Sequence, residues 1–138
     1  MNKLQYPTLQ ELVWWIEFLS DENRTLKLSL PVIDDVWYEQ IMEVVQRVQY
    51  SYSEDALHNR AAELFYNANK AHNYTDGNKR SSIVITYLFY LTNNHYIMSS
   101  LNIRALAKKV ARSHGRNRHD WWIEKITKQF EKHTAPLA

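Results

Sequence analysis

Residues 72–94 read HNYTDGNKRSSIVITYLFYLTNN. The second part, from Ser81 to Asn94, is apolar on nearly every side. A helix with that pattern belongs at the centre of a domain, with its neighbours packed around it. The first part sets a histidine, a carboxylate, a glycine, an amide and two cations within nine positions: His72, Asp76, Gly77, Asn78, Lys79 and Arg80. The polar cluster therefore sits at the N-terminal end of the most buried helix. That end carries unpaired backbone N–H groups and the positive end of the helix dipole, a combination suited to an anion such as phosphate.

The flanking sequence reads as further helices. Upstream, Ser53 is placed to cap a third helix running to about Ala71, with Leu57, Ala61, Leu64, Phe65 and Ala68 inward. Continuing that spacing places His72 on the buried side, if the helix persists so far. A second helix begins near Asp34 or Asp35 and turns Trp37, Ile41, Val44, Val45 and Val48 to the core. Thr8 caps a first helix, with Glu11 completing a capping box; Leu9, Leu12, Val13, Ile16 and Leu19 form its apolar stripe, widened by Trp14, Trp15 and Phe18. Downstream, Asn93-Asn94 ends the central helix, and HYIM (95–98) is a short apolar connector. Asn102 caps a fifth helix bearing Ile103, Leu106, Ala107 and Val110. Gly115 terminates it, and a last helix presents Trp122, Ile126 and Phe130. The central helix carries Ile83, Val84, Tyr87, Leu88 and Leu91 on one face, Ile85 and Phe89 on another. Only residues 21–33 break the pattern: Leu26, Leu28 and Leu30 alternate with Lys27 and Ser29, which suggests a short extended segment. Such an arm could take up a peptide by strand addition; a loop anchored by three leucines is the plainer alternative.

The expected fold is all-α, a single domain over residues 1–138 with about six helices and a short β-like arm. Two glycines and three prolines in 138 residues agree with helices joined by short connections. Seventeen basic and fifteen acidic residues leave a formal charge of +2, too balanced to argue for a nucleic-acid partner. No cysteine is present, which excludes disulfides and thiolate chemistry. The start is amphipathic rather than signal-like. No apolar run approaches the roughly 20 residues of a membrane span. The default location is the cytoplasm, with no membrane partner.

Phosphate chemistry needs donors aimed at oxygens, a holder for a divalent metal and a base for the attacking hydroxyl. Asp76 could hold Mg²⁺, which commonly takes one or two protein carboxylates. Gly77 allows close backbone approach and a positive φ. Asn78, Lys79 and Arg80 occupy the helix start and could enclose a polyphosphate. His72 alone here has an unperturbed pKa near neutrality, which suits a general base. Each feature also has a plainer reading: a histidine capping a helix end, an ordinary Asp-Gly turn, a solvated charge pair. Spacing and residue types alone leave both open.

The stretch HNYTDGNKR resembles the signature of the Fic/Doc family, H-x-F-x-[D/E]-[G/A]-N-[G/K]-R. His72, Asp76, Gly77, Asn78, Lys79 and Arg80 match, and Tyr74 replaces the usual phenylalanine. Looser similarity extends from the second helix to the last. The resemblance implies His72 as the base that activates a target hydroxyl and Asp76 as the metal holder or orienter of the attacking group. It makes Asn78, Lys79 and Arg80 phosphate ligands, with Gly77 shaping the anion-binding turn. The arm at 24–31 lies where the family has a flap that docks the target, which would involve Leu26, Lys27, Leu28 and Ser29.

Within that family the AMP-transferring branch has glycine after the asparagine and a second arginine three residues beyond the first. Lys79 and Ile83 stand there instead, which resembles the Doc branch, toxins of toxin–antitoxin modules. The implied reaction moves the γ-phosphate of ATP to a threonine of elongation factor Tu and stops translation. Gly77 in place of alanine resembles the AMP-transferring branch, so adenylyl transfer is the alternative, and a catalytically silent binding module is the third reading. No self-inhibitory [S/T]-x-x-x-E-[G/N] pattern occurs, so restraint is expected from a separate antitoxin. Arg112, His114, Arg116, Arg118 and His119 form a basic run, read as a helix end and solvated loop or as part of the nucleotide or target surface. Trp121 and Trp122 read as core and partial core. His58, His95 and His133 show no metal-ligand spacing.

Overall fold

The computed structural model describes residues 3–21, 35–51, 56–70, 77–113 and 119–137. Six helices run in order among them: α1 (Leu9–Asp21), α2 (Asp35–Ser51), α3 (Leu57–Lys70), α4 (Gly77–Thr92), α5 (Ile103–Arg112) and α6 (His119–His133). Two three-residue strands, β1 (His95–Ile97) and β2 (Thr134–Pro136), complete the all-α architecture. The expected flap at 24–31 lies outside the described residues.

The helix starts show how local chemistry sets boundaries. Thr8 Oγ1 accepts from Glu11 N at 3.1 Å while Glu11 Oε1 accepts from Thr8 N at 3.1 Å, a reciprocal capping box. Asn102 Oδ1 accepts from Ala105 N in the same way and starts α5. Two boundaries differ from the sequence reading. The third helix begins at Leu57 rather than just after Ser53, with Ala56 outside it and its carbonyl accepting from Arg60 N. The fifth ends at Arg112, before Gly115, because Ser113 turns to extended backbone and its N–H and Oγ both bond the Val110 carbonyl. Asn94, at φ 60°, provides the left-handed turn after α4 that asparagine tolerates.

Helix α4 is the centre. Every residue from Ser81 to Phe89 except Tyr87 is buried, and Tyr87 is half-buried. Its main partner is α3, with α2, α5 and α6 arranged around the pair. Phe65 of α3, Phe130 of α6 and Tyr90 of α4 meet edge-on with centroids 5.6–5.8 Å apart, a favoured aromatic geometry. The inward positions assigned to α5 and α6 are buried as the spacing predicts. Leu9 is a departure: at the first turn of α1 it is 48% exposed, whereas Leu12 of the same helix is fully buried.

The HYIM stretch is more than a connector. His95, Tyr96 and Ile97 pair antiparallel with Pro136, Ala135 and Thr134. The ribbon returns the chain beside the end of α4, where Asn93 and Gln5 exchange two hydrogen bonds of 2.8 Å. The N-terminal segment, the end of α4 and the C-terminal strand thus close one end of the bundle, opposite the N-terminus of α4.

Candidate functional site

Gly77, Asn78, Lys79 and Arg80 form the first turn of α4, so the structure places these four candidate residues at the start of the buried helix. The N–H groups of a first helical turn have no partner within the helix. No acidic residue occupies this turn itself, so the four residues carry no negative charge against the positive end of the helix dipole. Gly77 is itself helical, and no described glycine has a positive φ. Its contribution is therefore not a left-handed turn, as expected, but the missing Cβ at the helix mouth. A helix N-terminus bearing Lys79 and Arg80 is a donor set that suits a phosphate group. His72 and Asp76 lie outside the described residues, as do Leu26, Lys27, Leu28 and Ser29.

The helix ends that border this corner are tied together by polar side chains. Asn69, only 4% exposed on the last turn of α3, donates from Nδ2 to the Ala107 carbonyl of α5 at 3.1 Å and to Ser82 Oγ of α4 at 3.4 Å. Lys70 Nζ donates to the Ser113 carbonyl at 2.7 Å. Burial lowers the pKa of Lys70 from its ordinary value; a carbonyl, which carries no charge, does not reverse that. Within α4, Thr86 Oγ1 donates back to the Ser82 carbonyl at 2.7 Å. The α3 exit and the second turn of α4 are therefore fixed against α5.

A second polar cluster lies two turns earlier on α3. Glu63 is 2% exposed. Its Oε2 accepts from Asn67 Nδ2 at 3.0 Å and faces His119 Nε2 at 3.1 Å. The other ring nitrogen of His119, Nδ1, faces Asp120 Oδ1 at 3.0 Å. A neutral imidazole has one N–H and one lone pair, and a lone pair turned to a carboxylate is repulsive. With a carboxylate at each nitrogen, the geometry favours the imidazolium form of His119. Burial alone would lower its pKa, but the hydrogen bonds and charges of Asp120 and Glu63 together outweigh it and raise the pKa above the ordinary value. Tyr66 packs its ring against the imidazole at 5.2 Å, and burial with the Glu63 charge raises its phenol pKa. Glu63, His119 and Asp120 border a cleft of about 590 Å³ between α3 and α6, which Asn59, Glu124 and Lys128 also line. His119 is thus a helix end, as read, but not part of a solvated loop: it starts α6 and anchors it to α3. Arg112, by contrast, is exposed at the end of α5 as expected.

At the far end of α4, His58 Nδ1 and Tyr90 OH are 2.9 Å apart. Burial lowers the His58 pKa, with Glu131 opposing and His95 assisting. Burial also holds the Tyr90 phenol far above its ordinary range. Tyr90 stands 13 positions along α4 from Gly77, roughly 20 Å at 1.5 Å per residue. This pair belongs to the closed end of the bundle and not to the corner at Gly77. Among the described residues no group of three or more histidine, aspartate or glutamate side chains is placed to hold a metal ion, and no helix is long and apolar enough to cross a membrane.

Sequence reasoning missed Glu63 and Asn69. The available signal for Glu63 was the alanine pair beside it: Ala61 and Ala62 allow neighbours to approach so closely that the whole turn is enclosed. Asn69 gave no comparable signal, because its partners, Ser82 and Ala107, are distant in sequence.

No curated protein and no solved structure matches this chain. The family model described as Fic/DOC family matches residues 10–90, a span of more than half the sequence that includes the motif and most of α4. The chain belongs to the Fic/DOC family.

Proposed function

We propose that this protein is a Doc-like toxin that transfers the γ-phosphate of ATP to a serine or threonine hydroxyl of a protein, with elongation factor Tu as the expected target. Members of the family are typically ATP-dependent transferases that use Mg²⁺. The observation that carries the finer reading is the pairing of Lys79 with Ile83. Ile83 is 4% exposed and packed in the core, so the position where the AMP-transferring branch has its second arginine faces α4's neighbours and supplies no cation. Lys79 and Arg80 remain as the charged phosphate ligands of the helix mouth.

In the proposed reaction the target hydroxyl gives its proton to His72 as its oxygen attacks the γ-phosphorus. The bond from that phosphorus to the β–γ bridging oxygen breaks, ADP leaves, and the proton passes from His72 to solvent. Asn78, Lys79, Arg80 and the first-turn N–H groups hold the phosphate oxygens, and Gly77 leaves them unobstructed. Asp76 is the residue that would hold Mg²⁺, which when bound neutralises phosphate charge. Leu26, Lys27, Leu28 and Ser29 dock the target segment. The protein acts in the cytoplasm, without nucleic-acid or membrane partners, and a separate antitoxin restrains it.

Intact-mass spectrometry of lysate proteins incubated with the protein, ATP and Mg²⁺ tests this, with His72→Ala as control. A His72-dependent gain of about 80 Da supports phosphoryl transfer. A gain of about 329 Da shows adenylyl transfer instead, the reading that Gly77 favours. Activity unchanged in His72→Ala refutes the assignment of the base.

A further inference from the structure

Asn69 has an unusual balance of hydrogen bonds. Both partners of its Nδ2 group lie on other helices, the Ala107 carbonyl on α5 and Ser82 Oγ on α4. Its Oδ1 is buried with no partner at all, the only such side-chain atom among the described residues. A buried acceptor without a donor is costly, and a native chain that keeps one calls for an explanation. Leucine, of similar volume, would remove the unpaired oxygen and fill the same space. What leucine cannot supply is a directed link between the exit of α3 and the second turn of α4.

We propose that Asn69 is a positioning residue of the phosphate-transfer site, setting the first turns of α4 against the exit of α3 through its two donated hydrogen bonds. This rests on the functional reading above, in which the α4 N-terminus holds the phosphates. The link acts at the right place. Ser82 is five residues past Gly77, so a shift of α4 about this contact is delivered directly to the helix mouth. Apolar packing alone holds helix pairs together but tolerates small slides; a hydrogen-bonded buried side chain selects one register. A displacement near 1 Å in a transfer site is enough to lower turnover by about a hundredfold.

The test is Asn69→Leu. Asn69→Leu removes the unpaired acceptor but takes a donor from the Ala107 carbonyl and Ser82 Oγ, so a modest fall in the thermal midpoint is expected, with the variant still folded at assay temperature. The expected kcat falls at least tenfold while the ATP KM moves less than threefold, because the phosphate ligands remain and only their alignment changes. A variant with wild-type kcat overturns the proposal. So does a variant whose activity loss merely follows a lowered thermal midpoint. Amide hydrogen exchange gives a reading independent of activity. Asn69→Leu is expected to speed exchange at the hydrogen-bonded amides of residues 81–84 at least tenfold, with the amides of α6 unaffected. Unchanged exchange at 81–84 overturns the positioning role, even if the wild type transfers nothing and the functional reading itself has failed.

Discussion

Replacing His119 by alanine isolates the contribution of the α3–α6 ion pair. The substitution leaves the Glu63 carboxylate, which is 3% exposed as a side chain, with Asn67 as its described partner. Removing one member of a fully buried pair costs about 3–5 kcal/mol. The His119 side chain is 40% exposed, so water can enter the vacated space and solvate Oε2. The expected loss is therefore nearer the value of a hydrogen bond to a charged group, about 1.5–3 kcal/mol. For a domain of this size that lowers the thermal midpoint by roughly 5–12 °C. The bond to Asp120 adds little, since that carboxylate is fully solvated. The pH dependence follows from the raised pKa of His119. A histidine whose pKa rises on folding stabilises the fold fully below its unfolded value, about 6.5, and loses that contribution as pH rises through the folded value. Urea denaturation of wild type and His119→Ala from pH 5.5 to 9 should show the gap between them widest at the acid end. It should narrow toward pH 9, where a neutral ring keeps one N–H for one of two carboxylates. A gap that is constant with pH, or widest at alkaline pH, would mean that His119 is not the imidazolium its two carboxylate neighbours favour.

Other sites give simpler expectations. Phe130→Ala removes a fully buried ring that packs edge-on against both Phe65 and Tyr90, and should lower unfolding free energy by about 3–5 kcal/mol in urea denaturation. A loss below 1 kcal/mol would show that the three-ring junction is not the packed centre of the α3–α4–α6 contact. Asn102→Ala deletes the α5 cap at Ala105 N and should cost about 1 kcal/mol, whereas Asn102→Ser should restore most of it.

The apolar positions of α4, α5 and α6 were legible because each helix buries a face whose spacing is fixed by 3.6 residues per turn. Leu106 and Val110, or Ile126 and Phe130, could not be placed outside without exposing the whole stripe. The caps at Thr8 and Asn102 were legible for a related reason: donor and acceptor are three residues apart, so the contact is written in consecutive positions. Where a boundary depended on something non-local, reading failed. Ser53 had the chemistry of a cap, yet α3 starts at Leu57. The β1–β2 ribbon joins segments 41 residues apart at its outer pair, His95 and Pro136, and three residues are too few to show a period. The position of Gly77 to Arg80 at the start of α4 was legible, because the buried run after them fixes which end of the helix carries the polar cluster.

Helix α3 explains why the polar half of the architecture was harder to read than the apolar half. Its apolar residues Ala61, Leu64, Phe65 and Ala68 supply cohesion, and its polar residues supply direction. Arg60, 1% exposed, donates from Nη1 to the Val48 carbonyl of α2 at 2.8 Å, one of the last four carbonyls of that helix, which lack intrahelical partners. Glu63 reaches α6 through His119, and Asn69 reaches α4 and α5. Each of these bonds runs to a different neighbour, so α3 is held in register on several sides. On a helical wheel such residues look like a solvated face; only the surrounding helices turn that face into an interior. Close packing around α3 thus makes hydrogen bonding at these positions obligatory, since an unpaired charge there would be far more costly than at a surface. The helix that precedes the motif is consequently tied to four neighbouring helices by directed bonds, which is what the transfer site proposed at the start of α4 would need from its scaffold.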